Sequence, residues 1–444
     1  MDFRRIVLFL VIAVFSGGLT ATAAENPAPV TLDMLFQHAL SRSEDVNLAA
    51  EALYVAEQDK KRALSVLIPR FSAFGDYTRY SEKKTIAGRP VQPAWASDYG
   101  LRFDQSVTLN GKELIALDIS RTAIKKEHLT LADRQGELLI QVAEVYYQTL
   151  QAEKNLEIAA ANVHRLHTYK TAVETRLKMG DATQTDLYRA RAELSGATAE
   201  HVQAANILKL ARSSLDRLTG VPATAPLMVP DLSPQNFPEF DPVQLKQEAM
   251  AHRTDLKALK LVRTMAADEV RYTKGAWWPR IGIEGVWARP DADPDSLSPI
   301  KDQLWAKVSL QFALFDGGLR KAELNQSLSR RRQADLGVSA LKKGISVEVD
   351  AAYLDFVTRK STIAALADRL TFARENYKAV TRQSEMGLAN SVDVIDANTL
   401  LVTTQRAWTE AILAGRLALL KIERATGRLL DHVRHRLPDP SAGQ

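Results

Sequence analysis

Two hydrophobic periods take turns along this chain. Between residues 98 and 109 the pattern alternates, with Tyr99, Leu101, Phe103, Val107 and Leu109 on one face and Gly100, Arg102, Asp104, Ser106 and Thr108 on the other. Period-two spacing predicts a strand with one apolar and one polar side. A companion stretch precedes it at 70–80. A second pair lies at 279–288 and 303–315, where Leu304, Ala306, Val308, Leu310, Phe312 and Leu314 share a face opposite Lys307, Ser309 and Gln311. Such strands suit a barrel wall with lipid outside and water inside; a half-buried sheet in a soluble domain gives the same alternation.

After each strand pair the spacing changes to three and four. From about Lys112 to Lys178 no proline occurs, and Leu138, Val142, Val145, Ala152, Leu156, Ala159, Val163, Leu166 and Val173 hold one seam, broken only by Thr149 and Lys170. At 1.5 Å per residue this predicts a helix about 100 Å long. A return helix at 181–219 carries the matching seam Leu187, Ala190, Leu194, Ala197, Ala204, Leu208 and Leu215. The second half predicts an equivalent pair at 318–385 and 389–426. A sustained period near 3.5 means left-handed coiled-coil packing. Shorter helices are expected at 32–42 and from Asp45 to Leu67, the latter stopped by Pro69. Laid end to end, the short helix and the return helix match the long one, which predicts a cylinder of even height.

The halves are copies. Ala39 pairs with Ala249 and Pro69 with Pro279 at a spacing of 210, Gln105 with Gln311 at 206, and Val142 with Val349, Met179-Gly180 with Met386-Gly387 and Asp186 with Asp393 at 207. The repeating unit is thus a whole module, 25–220 and 242–427, with length changes confined to loops. A proline-rich linker at 221–241 joins the copies, and the tail 428–444 is expected to carry little.

Residues 1–24 read as a secretory signal: Arg4-Arg5, the apolar run Ile6 to Phe15, and cleavage after Ala23 or Ala24. The chain has no cysteine, which excludes disulfides, thiolate metal sites and lipid attachment to an N-terminal cysteine. A net charge of +5, from 58 basic and 53 acidic residues, gives no nucleic-acid-binding stripe.

With these elements in place, the sequence resembles the outer-membrane efflux protein (TolC-like) family. The resemblance spans residues 31 to 427 and rests on RLKMGDATQTDLYRARAEL (176–194), RQSEMGLANSVDVIDANTLL (382–401), FALFDGG (312–318) and LTGVP (218–222). It implies a mainly α chain with a β-barrel part, its long antiparallel coiled-coil hairpins and four amphipathic strands joining two partners in a homotrimer. The implied assembly is a shared twelve-stranded barrel in the outer membrane on an α-helical tunnel. The implied partners are a periplasmic adaptor protein, through it an inner-membrane transporter, and outer-membrane lipid, with no nucleic acid. The implied role is a passive efflux or secretion duct, not an enzyme and without cofactor. Four strands cannot close a membrane barrel, so several chains must share the wall.

The candidate residues sit at the two hairpin turns. Met179-Gly180 and Met386-Gly387, with Asp186, read as helix C-caps and helix starts; by resemblance they are adaptor-contacting tips. Asp393 and Asp396, three apart on one helix face, read either as stabilisers of a helix N-terminus or, by resemblance, as a pore constriction of six carboxylates that binds cations. Repeat one keeps only half of this pattern, since Arg189 stands where Asp396 has its counterpart. Some family members close the second tip with a tyrosine and an arginine, where this chain has Ser384 and Ala389. His164 with His167 reads as a solvated pair, and the acidic run 291–295 as a surface loop without a full calcium pattern. HExxH and GxSxG motifs are absent. The rival readings are a periplasmic adaptor with coiled-coil hairpins and a non-conducting envelope scaffold.

Overall fold

The computed structural model describes residues 29–230 and 237–436; the expected signal peptide, part of the linker and the end of the tail lie outside them. Helices α1 (Leu32–Arg42) and α2 (Glu44–Ser65) lead into strand β1 (Arg70–Arg79), a small hairpin β2 (Lys84–Ile86) and β3 (Arg89–Gln92), and strand β4 (Trp95–Thr108). The long helix α3 (Lys112–Met179) and its return α4 (Gln184–Thr219) complete the first copy. The second copy runs α5 (Pro242–His252), α6 (Thr254–Lys274), β5 (Arg280–Asp293), β6 (Gln303–Gln311), α7 (Leu319–Glu385) and α8 (Ser391–Ala425), followed by α9 (Leu429–Arg436).

The helix lengths close as the pattern predicts. Helix α3 has 68 residues, and beside it stand α2 with 22 and α4 with 36. The seam is buried where the period places it, at Leu138, Val142, Thr149, Ala152, Ala159, Leu166 and Val173. Thr149, which interrupts the apolar run, satisfies its hydroxyl on the Val145 carbonyl at 2.8 Å, so its burial leaves no donor unpaired.

Strands pair antiparallel in the order β1-β4-β5-β6. The register sets Phe71 opposite Phe103, Leu101 opposite Trp287 and Ile283 opposite Val308 on one face. Asp76 and Asp98, Ser72 and Arg102, and Glu284 and Lys307 face each other on the opposite side. The apolar face is bare: Leu304 is 82%, Val308 75% and Leu310 68% exposed. Both outer strands, β1 and β6, keep one edge unpaired. On the polar face Arg102 lies 3.4 Å from Glu284 and over the Phe74 ring, which fills the space above Gly100.

Strand bounds differ from the sequence expectation at both ends of the sheet. β4 begins at Trp95 and β5 runs to Asp293 because the two pair throughout, Trp95 opposite Asp293. The stretch between the two expected strands, 81–97, holds the β2–β3 hairpin, turned by Ala87 and Gly88 at φ 48 and 80, the positive-φ pair that a two-residue hairpin loop needs. β6 stops at Gln311, opposite Arg280. Pro279 follows that pair on the neighbouring strand and has no N–H to extend the ladder, so Phe312 and Leu314 lie beyond the strand.

The duplication is visible in the cores. Leu35, Ala39, Leu138 and Val142 lie in one cluster, and their counterparts Leu245, Ala249, Ile345 and Val349 in the other. The tail departs from expectation. Leu429, Leu430 and Val433 of α9 are buried in the first cluster, because the glycine turn at Gly427 (φ 77) sends the chain back across α3. Leu429→Ala is expected to cost about 2–5 kcal/mol as a cavity in this core, read as a lowered Tm by circular dichroism. An unchanged Tm would mean α9 is dispensable.

Candidate functional site

Both hairpins turn in the same way. The Gly180 N–H donates to the Leu177 carbonyl at 3.1 Å and the Asp181 N–H to Arg176 at 2.9 Å; Gly387 and Leu388 repeat this on Ser384 and Gln383 at 3.1 and 2.8 Å. Gly180 and Gly387 sit at φ 87 and 76, in the left-handed region that glycine enters without a Cβ penalty. An added Cβ would meet nothing within 4 Å at either site, so substitution strains the backbone alone. Gly180→Ala and Gly387→Ala are each expected to cost about 1 kcal/mol, roughly a fivefold faster local amide exchange in the turn. Unchanged exchange would refute the cap reading.

The return helices start with matched capping boxes. Thr183 Oγ1 accepts from the Asp186 N–H at 3.2 Å, and Asp186 Oδ2 accepts from the Thr183 N–H at 3.0 Å. Asn390 Oδ1 accepts from the Asp393 N–H at 3.1 Å, and Asp393 Oδ2 accepts from the Asn390 N–H at 3.0 Å. Each box satisfies orphan donors of a helix N-terminus.

Beyond the box the two aspartates diverge. Asp186 turns to the second hairpin, where the Ser391 hydroxyl donates to its Oδ1. That bond, with those from Thr183, holds the Asp186 carboxyl below the usual carboxylate range. Asp393 and Asp396 are both exposed on one face of α8, beside the buried stripe of Val394, Ala397 and Leu401. The Asp396 side chain has no hydrogen bond or ion pair among the described residues. Met179 and Met386 are 63% and 66% exposed at the ends of the hairpins.

The hairpins are tied to each other by residues the sequence pattern did not single out. Arg176 donates through Nη1 to the Ser384 carbonyl at 3.1 Å and through Nη2 to the Asp181 carbonyl at 3.3 Å. Higher up, Arg165 Nε donates to Asn398 Oδ1 at 3.1 Å, and Asn398 Nδ2 to Asn162 Oδ1 at 2.8 Å. A visible signal existed, since Arg176 and Ser391 are positions where the copies diverge: at the 207 spacing their counterparts are Gln383 and Gln184. Ser384, in place of a tyrosine latch, is buried and contributes its backbone carbonyl.

His164 and His167 gather no third ligand: among the described residues no cluster of three or more metal-binding side chains exists. The acidic run at the outer rim is spent on lysines, Asp291 and Asp295 on Lys301 and Asp293 on Lys83. No described helix is long and apolar enough to cross a membrane.

Paired helical hairpins about 100 Å long, joined to a sheet with a bare apolar face, define a class of envelope proteins that combine a β-wall with a coiled-coil stalk. The chain belongs to the outer membrane efflux protein family, whose model matches residues 35–221 and 245–428. It is 23% identical to the outer membrane protein TolC of Escherichia coli (strain K12), over 96% of this chain and 87% of that protein. It is 22% identical to the outer membrane efflux protein BepC of Brucella suis, over 70% and 67%. Its fold matches the CmeC outer membrane channel of Campylobacter jejuni with a TM-score of 0.80, at 15% identity, over 90% of this chain and 86% of that one. A family match over both copies sets the adaptor reading aside.

Proposed function

We propose that three copies of this chain close into a passive duct, a twelve-stranded barrel in the outer membrane continuous with a helical tunnel across the periplasm. One observation carries the reading: a four-stranded sheet, apolar and bare on one face, charged on the other and unpaired at both edges, is joined directly to the long helices. In lipid an open edge leaves several kcal/mol per unpaired group uncompensated, about 3 or more, so β1 of one copy must meet β6 of the next. The number three follows from the family resemblance.

In this assembly the duct serves efflux or secretion, taking its cargo from an inner-membrane transporter through a periplasmic adaptor. The exposed Met179 and Met386, beside the caps at Gly180, Gly387 and Asp186, supply the tips on which the adaptor docks. Soft apolar side chains in water are what a partner surface covers. Asp393 and Asp396 face the lumen as the constriction. The bonds of Arg176 and Ser391 hold each chain's second hairpin against its first in the closed tip.

The absence of cysteine makes the ring directly testable. Ala73→Cys on β1 and Ala306→Cys on β6, treated in membranes with a short bis-maleimide, are expected to give covalent dimers and closed trimers. Monomers alone, from a folded protein, would break the shared-wall account.

A further inference from the structure

Above the tip, a cavity of about 320 Å³ opens between the first hairpin and the second. Its walls are Tyr169, Ala172 and Val173 of α3, Tyr377 of α7 and Val394 of α8, with Arg165 and Arg176 entering from α3. Thr168, Thr381 and Ser384 complete the lining, so an apolar and aromatic wall stands beside a polar one, as in a site for an amphipathic ligand.

The two arginines are short of anions. Neither lies within 4.0 Å of a carboxylate among the described residues. Arg176 spends its guanidinium on two backbone carbonyls. Arg165 uses Nε on Asn398, while its Nη2 is buried with no hydrogen-bond partner. Its guanidinium sits 6.0 Å from the Tyr377 ring centroid. Of the acids nearby, Glu385 is exposed at the rim, and Asp186, hydrogen-bonded to Ser391 and Thr183, lies within reach of the Arg176 charge, which leaves Arg165 as the arginine without an acidic neighbour. His164, also on the lining, is exposed. A buried N–H of a charged group is costly to leave unpaired, and a planar guanidinium fork is matched by a carboxylate.

The geometry points to a binding site for a small amphipathic carboxylate between the hairpins, its oxygens on Arg165 and its apolar body against Tyr169, Tyr377, Ala172 and Val173. Such a ligand contacts α3 of one hairpin and α7 of the other, and so fixes their spacing. Binding is read on the folded protein whether or not it conducts, so its failure leaves the duct reading standing, and the reverse.

The test is titration calorimetry of naphthoate into the full protein in lipid nanodiscs, with empty discs subtracted. The expected result is one saturable site per chain, weakened about tenfold or more when the uncharged naphthamide replaces the acid. Arg165→Gln is expected to weaken naphthoate by a similar factor. Ala172→Phe, at an exposed wall position, is expected to fill the cavity and remove binding while keeping every hydrogen bond described above. Absence of saturable binding at millimolar naphthoate overturns the proposal. So does equal binding of the amide, or unchanged affinity in Ala172→Phe. The acid–amide comparison uses the unaltered protein, so it decides even if a variant fails to fold.

Discussion

Replacing Asp393 and Asp396 together by asparagine is expected to abolish cation selectivity and to weaken block by divalent cations about tenfold or more, since in the proposed trimer their six carboxylates would be the charge that attracts them. The substitution separates charge from structure. Asp393 also closes the capping box of α8 through its Oδ2, and asparagine keeps an oxygen there to accept the Asn390 N–H. Asp396 is unengaged and exposed, so its replacement has no fold to disturb. Alanine at position 393 would add the loss of the cap, about 1 kcal/mol, and blur the reading. Bilayer recordings that show the same reversal potential and the same divalent block in the double variant would remove these residues from the pore. Capping of α8 would then be the whole of the function of Asp393.

The second large effect is expected at the ties between hairpins. Arg176→Gln with Ser391→Ala removes the bond to the Ser384 carbonyl and the hydroxyl held by Asp186. Hydrogen bonds to charged groups contribute about 1.5–3 kcal/mol each. Losing two shifts a closed–open balance by roughly a hundredfold or more, if both act on it. The expected record is a severalfold larger mean current without any adaptor. Unchanged current in a folded variant would mean the ties are only local packing. The pH dependence follows from the lowered Asp186 carboxyl. A depressed folded value gives stability that is present above the ordinary carboxylate value of about 3.9 and lost as pH falls through the folded value. The tie is therefore expected to hold constant from about pH 5 to 8. Amide exchange at residues 183–186 that changes across that range would show that the tie rests on a different group.

What was legible in the sequence was periodic or duplicated. The seam from Leu138 to Val173 survives in one chain because each residue packs at a fixed interval, and both glycine tips sit at matched positions. The alternation of β6 from Leu304 to Leu310 named its bare face before any pairing was known. What was not legible joins distant residues. Arg176 and Ser384 are 208 positions apart, and Asp186 and Ser391 are 205 apart. No local pattern announces such bonds, since each partner is an ordinary polar residue on a helix. Asp186 and Asp393 show the limit most clearly: matched in sequence and each closing a capping box, they part because Asp186 alone accepts a hydrogen bond from the other hairpin. The role of α9 was hidden for a different reason. Eight residues are too few to show a period, and only the return of the chain at Gly427 brings Leu429 to the core.

Single-channel recording of the purified protein in planar bilayers asks whether this chain walls an aqueous path through the outer membrane. Small, discrete, cation-selective steps are predicted, from a lumen narrowed at Asp393 and Asp396. A folded oligomer that inserts into the bilayer yet passes no current would contradict the account and leave a non-conducting envelope scaffold as the reading of the same fold.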